Sequence, residues 1–295
     1  MDLEFTWNVF PLVEVLRIEE CRSYATLAGR RVKTIEVEYL VSRSVARNKS
    51  RQYSLSSEHP CLFRTFADLP PRGNAIASFS RTYGPLGLGE GRSASPAVDR
   101  RSRTTEYREE VDLWKEKIEE MGNMVSLWEA IASRNSRELE KSISFNERQQ
   151  AIQYCSSTAP LDRRRVRPVI WRGLLLGGDP HSTARPLSDD VISQASYVLA
   201  DCVNDQMKKY AGPPLLFCEE GCFRVRVVPK NLIGAMWSQF ASAVGRRAEF
   251  GTCLNCDSYF EFHSAENRLG KRSGAKYCSD NCRVRASELR RQPKT

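Results

Sequence analysis

Two closely spaced cysteine pairs near the C-terminus constrain this chain more than any other feature of its sequence. Cys253 and Cys256 have two residues between them, Cys278 and Cys282 have three, and 21 residues separate the two pairs. Each pair can supply two thiolates from one turn, and the intervening segment can fold back to complete a tetrahedral shell. The spacing therefore predicts one Zn²⁺ bound by these four cysteines.

The predicted site is structural rather than catalytic, because four thiolates leave no coordination position open for water. His263 lies in the insert between the pairs and could be a ligand only by displacing a cysteine. Ser279 stands where a helix N-cap belongs, and Asp280 follows in the first turn, where the helix dipole favours an anion. A helix from there to about Gln292, stopped by Pro293, gives the module a treble-clef-like outline.

The C-terminal segment is also basic. The whole chain has a net charge of +9, and residues 246–295 contain eleven Lys/Arg against six Asp/Glu, a net of +5. This concentration of charge favours a nucleic acid or another polyanion as the partner, and a basic surface that only keeps the protein soluble is the alternative. On the terminal helix, the residues expected to contact phosphates are Arg283, Arg285, Arg290 and Arg291.

Aromatic residues flank the predicted knuckle. Tyr259, Phe260 and Phe262 follow the first cysteine pair, and Tyr277 immediately precedes the second. We expect these four side chains to form a small core around the metal site. Stacking on nucleobases is the alternative interpretation.

Residues from about 215 to 291 resemble the C-terminal region of a family of uncharacterised bacterial proteins, and the module is similar to the CGNR-type zinc finger. The resemblance rests on the four cysteines and on the arginines that follow them. Where that family has Cys-Gly-Asn-Arg, this chain has Cys282-Arg283-Val284-Arg285. The finger there accompanies an all-helical N-terminal domain in proteins regarded as transcription regulators, so the resemblance implies a DNA-binding role.

The chain divides into four predicted segments, and its fold class is α+β. Residues 1–83 form a mixed β/α region, 84–105 a flexible linker or loop, 106–245 a mainly helical domain, and 246–295 the zinc module. The linker is predicted from glycine and proline, which dominate its first residues. The architecture is thus a mainly helical body with a small N-terminal β region and a C-terminal treble-clef-like knuckle.

Hydrophobic periodicity places the individual elements. The N-terminal 65 residues are mostly β, with Thr34–Val41 alternating at period two. A helix ends at about Tyr83, and further helices are predicted over 106–134, 136–154, 187–210 with Ser188 as its N-cap, and 232–244, the last one amphipathic. The stripe of the strongest helix contains Val111, Trp114, Ile118, Met121, Val125, Trp128 and Ala132.

A hairpin is predicted near residues 215–228, with Gly221 in its turn. Cys218 and Cys222 are expected to face each other across it. We interpret this pair as strand packing, and a metal or redox role is the alternative.

Several functional classes lack support in the sequence. The N-terminus has neither a basic nor an apolar signal segment, and no apolar run is long enough to span a membrane, so a cytoplasmic location is expected. We find no Ser-His-Asp arrangement, paired-carboxylate motif, HExxH or Walker loop, which disfavours an enzyme. The leading hypothesis is a zinc-dependent nucleic-acid-binding protein, such as a transcription regulator, and the alternative is a protein-interaction or scaffold protein with a purely structural zinc.

Overall fold

The computed structural model describes residues 6–9, 12–26, 29–44, 51–88, 105–146, 151–155, 167–170, 190–219, 222–262 and 270–291. The chain forms two compact units, one made of Met1–Ile118 with Tyr210–Gln239 and the other of Glu119–Lys209 with Phe240–Thr295. The boundaries therefore fall inside continuous helices, and the four-segment division expected from the sequence stays a prediction.

Helices and small antiparallel sheets together make the chain α+β, as predicted. The helices are α1 (Leu55–Glu58), α2 (Leu62–Ala67), α3 (Gly73–Tyr83), α4 (Val111–Ala132), α5 (Ser136–Leu139), α6 (Val191–Tyr210), α7 (Leu232–Gly245) and α8 (Asp280–Arg291). The strands are β1 (Thr6–Val9), β2 (Leu12–Thr26), β3 (Gly29–Ser44), β4 (Arg51–Ser54), β5 (Thr105–Glu110), β6 (Ile143–Asn146), β7 (Ala151–Tyr154), β8 (Arg167–Ile170), β9 (Ala211–Glu219), β10 (Cys222–Pro229), β11 (Phe250–Thr252) and β12 (Tyr259–Glu261). No helix in the described ranges combines the length and the apolar character that crossing a membrane requires.

The N-terminal β region is confirmed, and its main feature is a long two-stranded ribbon. β2 and β3 pair antiparallel from Leu12↔Arg43 to Thr26↔Gly29, and β5 pairs with the end of β3 from Tyr39↔Glu110 to Ser44↔Thr105. Alternation puts apolar side chains on one face of the ribbon. The cluster on that face consists of Val37, Tyr39 and Val41, with Leu16, Ile18 and Ile35 packed against them.

The start of the predicted linker is a buried loop. The side chain of Glu109, itself buried, accepts hydrogen bonds from the backbone N–H groups of Leu86, Gly87 and Leu88 at 3.0, 2.7 and 2.9 Å. It also accepts one from Trp114 Nε1 at 2.9 Å. Leu86 is fully buried, so composition misled the expectation of flexibility at residues 84–88; the rest of that segment up to residue 104 lies outside the described residues.

The strongest predicted helix is confirmed as α4, although its first residues belong to β5. The apolar stripe is buried from Val111 to Trp128, and Trp114 and Met121 have no exposed surface. In the first unit, the rings of Phe66 and Phe79 lie 6.2 and 6.1 Å from that of Trp114. The two tryptophans therefore pack in the protein interior, as their periodicity predicted.

The helix predicted over 136–154 is wrong. Helix α5 covers a single turn, capped by the side chain of Asn135, and the segment then forms the β6–β7 hairpin. Phe145 pairs with Ile152, and Ile143 pairs with Tyr154, so these four share one face. Ile143 and Ile152 lie on opposite sides of a helix but on the same side of this hairpin, and burial of both favours the hairpin.

Helix α6 begins at Val191, four residues after the start of the predicted range 187–210. Asp190 caps it, because its carboxylate accepts hydrogen bonds from the backbone N–H groups of Ile192 and Ser193 at 3.1 and 3.2 Å. Hydrogen bonding, first from the Ser193 hydroxyl, lowers the pKa of Asp190 below its ordinary value. Ser188, the expected N-cap, lies outside the described residues.

The 215–228 hairpin and the following helix are confirmed, with two corrections, while Gly221, the expected turn residue, lies outside the described residues. Across β9 and β10 Cys218 pairs with Phe223 and Cys222 with Glu219, so the two cysteines are not direct neighbours. Helix α7 is buried on every side through Phe240, rather than amphipathic.

Candidate metal centre

The first cysteine pair lies in the turn that joins β11 to β12. Cys253 follows β11 directly, its backbone N–H donates to Ser258 O at 3.0 Å, and its carbonyl accepts from Asp257 N–H at 3.0 Å. Asp257 closes this turn with a positive φ of 54°. The hairpin below it is tightly packed, since a Cβ on Gly251 would lie 2.7 Å from a ring carbon of Phe262.

The second pair lies at the start of α8. The Ser279 hydroxyl accepts a hydrogen bond from Cys282 N–H at 3.2 Å, which confirms Ser279 as the N-cap. Cys278 and Cys282 are one helical turn apart, so their sulfurs lie on the same side of the backbone. A backbone hydrogen bond from Leu254 N–H to Lys276 O, at 3.0 Å, joins this arm to the first turn.

The four sulfurs converge as the spacing predicted. All four lie within 4.8 Å of one another. The Sγ–Sγ distances are 3.6 Å for Cys256–Cys278, 3.6 Å for Cys278–Cys282 and 3.7 Å for Cys282–Cys256. A tetrahedral ZnS₄ shell with bonds of about 2.3 Å has sulfur–sulfur edges of about 3.8 Å, so these residues fit the ion closely.

Burial differs among the four ligand candidates. Cys253 is fully buried, Cys278 and Cys282 are half-buried, and Cys256 is exposed. Among the described residues, this is the one group of His, Cys, Asp and Glu side chains close enough together to hold a metal ion. His263 lies outside those residues.

The thiols differ in acidity because of their surroundings. Burial acts to raise the pKa of Cys253, but hydrogen bonds from backbone N–H groups, first that of Cys278, outweigh burial and lower the pKa to about 6. Burial and the thiol hydrogen bonds with Cys256 and Cys282 raise the pKa of Cys278 to about 12. A bound divalent cation would remove this difference in pKa between Cys253 and Cys278, since thiols that coordinate a metal are deprotonated outright.

Aromatic side chains lie beside the site. Phe260 is buried, and its ring lies 5.4 Å from that of Phe262 in a T-shaped contact. Tyr259 and Tyr277 are half-buried. Phe260 and Phe262 thus contact each other as part of the small core that the sequence predicted around the knuckle.

The predicted phosphate-binding arginines lie on α8, beyond the cysteines. Arg283 forms an ion pair with Asp280 at 3.2 Å and Arg285 is exposed, and Arg291 is the last residue of the helix. Arg290 Nη2 donates to the Tyr277 hydroxyl at 2.9 Å. Sequence reasoning missed this contact, because a spacing of 13 residues between a loop and a helix gives no periodic signal.

A second unpredicted contact lies under the hairpin. Arg246 Nη2 is 3.2 Å from Glu261 Oε2, and the Glu261 side chain is only 9% exposed. Removing Arg246 alone would leave the Glu261 carboxylate in a mostly buried site without its partner, so breaking this pair should cost more than breaking a surface ion pair.

Comparisons with models of known protein families, with characterised proteins and with solved structures find no match to this chain. The site itself therefore defines the class: an α+β chain whose C-terminal part brings four cysteines together in a geometry that could hold a metal ion.

Proposed function

We propose that this chain is a zinc-binding protein and that its C-terminal module is a treble-clef-like zinc knuckle. The observation that carries the proposal is the convergence of four cysteine sulfurs within 4.8 Å. A hairpin-borne pair followed by a pair at a helix N-terminus is the arrangement that the knuckle requires. Because the shell is complete with four thiolates, the zinc is structural.

Metal analysis tests this part directly. Gently purified protein should contain one zinc per chain, and X-ray absorption should give metal–sulfur distances of about 2.3 Å. Cys218→Ser, which changes an exposed cysteine outside the cluster, is the matched control and should keep the metal. Protein without metal, or metal lost equally from the control, contradicts the proposal.

We infer further that the zinc knuckle presents α8 to nucleic acid, as in a transcription regulator. In support, the helix begins at the metal ligands, and Arg283, Arg285 and Arg290 on it are exposed. A helix anchored at one end by a metal site holds such side chains in a fixed arrangement, so less conformational entropy is lost on binding. Contacts of arginine with phosphates would supply the affinity.

A titration against random-sequence DNA and RNA at two salt concentrations tests the nucleic-acid part. Binding that weakens steeply as salt rises indicates phosphate contacts. Removing zinc with a chelator should abolish the contribution of α8, because the knuckle has too little core to hold the helix without metal. Absence of binding at low salt contradicts the inference.

A protein-interaction or scaffold role is the second candidate, and one observation favours it. Val284 and Leu289 on α8 are 50% and 64% exposed. Exposed apolar side chains on a helix suit a protein partner better than a phosphate backbone. If the arginines of α8 bind phosphates, the double variant Val284→Ser/Leu289→Ser should keep the nucleic-acid affinity of the wild type. The protein-interaction role gains support if the wild-type chain binds no nucleic acid.

A further inference from the structure

The β9–β10 hairpin of the first unit exposes apolar side chains along its length. Its base is buried at Ala211 and Pro229, which pair with each other. The exposed fraction then rises toward the turn, from 46% at Leu215 to 66% at Leu216 and 71% at Phe223. Large apolar side chains exposed next to one another are typical of an interaction surface.

The exposure is greatest on one face of the hairpin. Side chains alternate across a strand, so three residue pairs that contain no charged residue share this face. The apolar face, as the register defines it, consists of the pairs Pro214↔Val227, Leu216↔Val225 and Cys218↔Phe223.

The arginine positions of the hairpin lie on the opposite face. Arg226 pairs with Leu215 there, and Arg224 pairs with Phe217. Arg226 is half-buried, and its Nε atom is shielded from solvent. An antiparallel sheet with one solvated face ordinarily turns its apolar side to the core and its polar side to water. Here Phe223 is exposed while Arg226 is half-buried, which is the arrangement of a hairpin whose apolar face packs on another molecule.

The area of the apolar face matches what a dimer needs. At about 150–200 Å² for a fully exposed side chain of this size, Leu216, Phe223 and Val225 leave on the order of 350 Å² in water. Pro214 and Cys218 are also exposed, and they enlarge the patch to on the order of 450 Å². Two such patches contain about 900 Å² of apolar surface. Since homodimer interfaces are about 65% apolar, the whole interface would bury about 1,400 Å², which is typical of a specific complex.

We propose that the apolar face is a homodimer interface, on which the same hairpin of a second copy packs face to face. A two-fold dimer uses one patch on both copies, and a uniformly apolar face without charges is complementary to itself. Among the described residues, β9 and β10 pair only with each other, and an isolated two-stranded hairpin is marginally stable. Packing on a second copy gives this hairpin the opposing layer that it lacks.

An anionic lipid surface is a poorer match for the apolar face. No cation lies among its six positions, and β9 ends at Glu219, which Glu220 follows in the sequence. Carboxylates next to the exposed Phe223 are repelled by anionic headgroups. The proposed dimer does not rest on the zinc site or on nucleic-acid binding.

Sedimentation velocity of the full chain over about 1–100 µM tests the dimer. Leu216→Thr/Phe223→Thr removes two of the most exposed side chains of the apolar face and keeps residues that favour strands. This variant should dimerise at least about 100-fold more weakly, since each copy loses two interface side chains. The matched control, Leu215→Thr/Val228→Thr, removes two exposed apolar side chains outside the apolar face and should dimerise as the wild type does. Circular dichroism checks that both variants are folded.

Alkylation of Cys218 gives a second measurement, made on the wild-type chain. This cysteine is exposed and pairs with Phe223 in the register, so dimerisation should cover its thiol. The rate of maleimide modification at Cys218, followed by mass spectrometry of peptides, should fall as the protein concentration rises. A rate that does not depend on concentration overturns the proposal.

Salt and a chelator separate this dimer from the proposed function. Each copy has a net charge of +9, so salt screens the repulsion between copies and should strengthen dimerisation, whereas it weakens phosphate contacts. A chelator should leave the dimer intact, because the hairpin lies in the first unit and the cysteine cluster in the second. A monomeric wild type, or equal losses in the two double variants, overturns the assignment. A monomeric wild type that binds phosphatidylserine vesicles through Phe223 would assign the face to lipid instead.

Discussion

The hydroxyl of Tyr277 accepts a hydrogen bond from Arg290 Nη2 at 2.9 Å, linking the loop before the second cysteine pair to the end of α8. Arg290 Nε also donates to Ala286 O at 3.0 Å. A guanidinium has five N–H donors, so the two bonds orient it and leave others for a phosphate. Tyr277 is therefore a positioning residue for a contact that α8 would make.

Tyr277→Phe should lower nucleic-acid affinity by about two- to tenfold, because the loss of one hydrogen bond of about 0.5–1.5 kcal/mol frees the guanidinium. Zinc content should not change. Tyr197→Phe, on the exposed surface of α6, is the matched control. Anisotropy titrations measure the affinity, and a wild-type value for Tyr277→Phe would show that Arg290 needs no orientation.

Cys278→Ser should release zinc and unfold the chain beyond about residue 250, while the rest stays folded. Structural zinc contributes folding free energy directly, and the small aromatic core of the knuckle does not replace it. Limited proteolysis with mass spectrometry should show new cleavage sites in the segment C-terminal to Thr252 in this variant. Cys218→Ser should be as resistant as wild type, and equal resistance of the Cys278 variant would contradict a metal-dependent fold.

The parts of the site that sequence predicted depend on local spacing. Two cysteine pairs and a cap at Ser279 are encoded within a few residues each, so the convergence of sulfurs and the start of α8 followed from the sequence. The same holds for α4, because its apolar stripe repeats with the 3.6-residue period of a helix over enough turns to be unambiguous. Short segments gave no such signal, and Ile143 and Ile152 come to the same face only through the pairing of β6 with β7, which neither period reports.

The parts that sequence missed depend on contacts between distant residues. Residues 84–88 are rich in glycine and proline, yet Glu109 fixes three of their N–H groups from more than twenty positions away. Gly87 adopts a φ of 77° in this loop, so a glycine is required there by the backbone conformation and does not indicate flexibility. Neither local composition nor periodicity predicts that the Glu109 carboxylate is buried against residues 84–88.

Glu109→Gln should destabilise the protein by about 2–4 kcal/mol, because each carboxylate oxygen accepts two N–H groups and an amide would set its own N–H₂ against two of them. Glu119→Gln, on an exposed position of α4, is the matched control. Urea unfolding followed by tryptophan fluorescence measures the free energy of unfolding.

The effect of Glu109→Gln should also depend on pH. Burial raises the pKa of Glu109 above its ordinary value of 4.5, despite the hydrogen bonds that act to lower it. Between the unfolded and folded pKa values the folded state binds more protons, so wild-type stability falls as pH rises through that window. The variant lacks this fall, so its destabilisation relative to wild type should be largest at and below pH 4.5 and should shrink as pH rises above that value. A destabilisation that grows with pH would indicate a lowered pKa instead.

The arginines of α8 give the sharpest test of nucleic-acid binding. Arg283 and Arg290 are seven residues apart and therefore lie about 20° from each other around the helix. Arg283→Ala/Arg290→Ala should weaken binding to duplex DNA at all sequences alike and lower the log–log salt slope by about two, since each lost phosphate contact removes about 0.9. Removing the exposed Arg283–Asp280 ion pair should cost little stability.

The matched control for this pair removes two charges elsewhere in the same unit. Arg137→Ala/Lys208→Ala changes exposed residues of α5 and α6. If general positive charge attracted DNA, both double variants would lose affinity and slope to the same extent. Contact through α8 requires the loss to follow Arg283 and Arg290, and wild-type binding by that variant would move the interpretation to a protein partner on Val284 and Leu289.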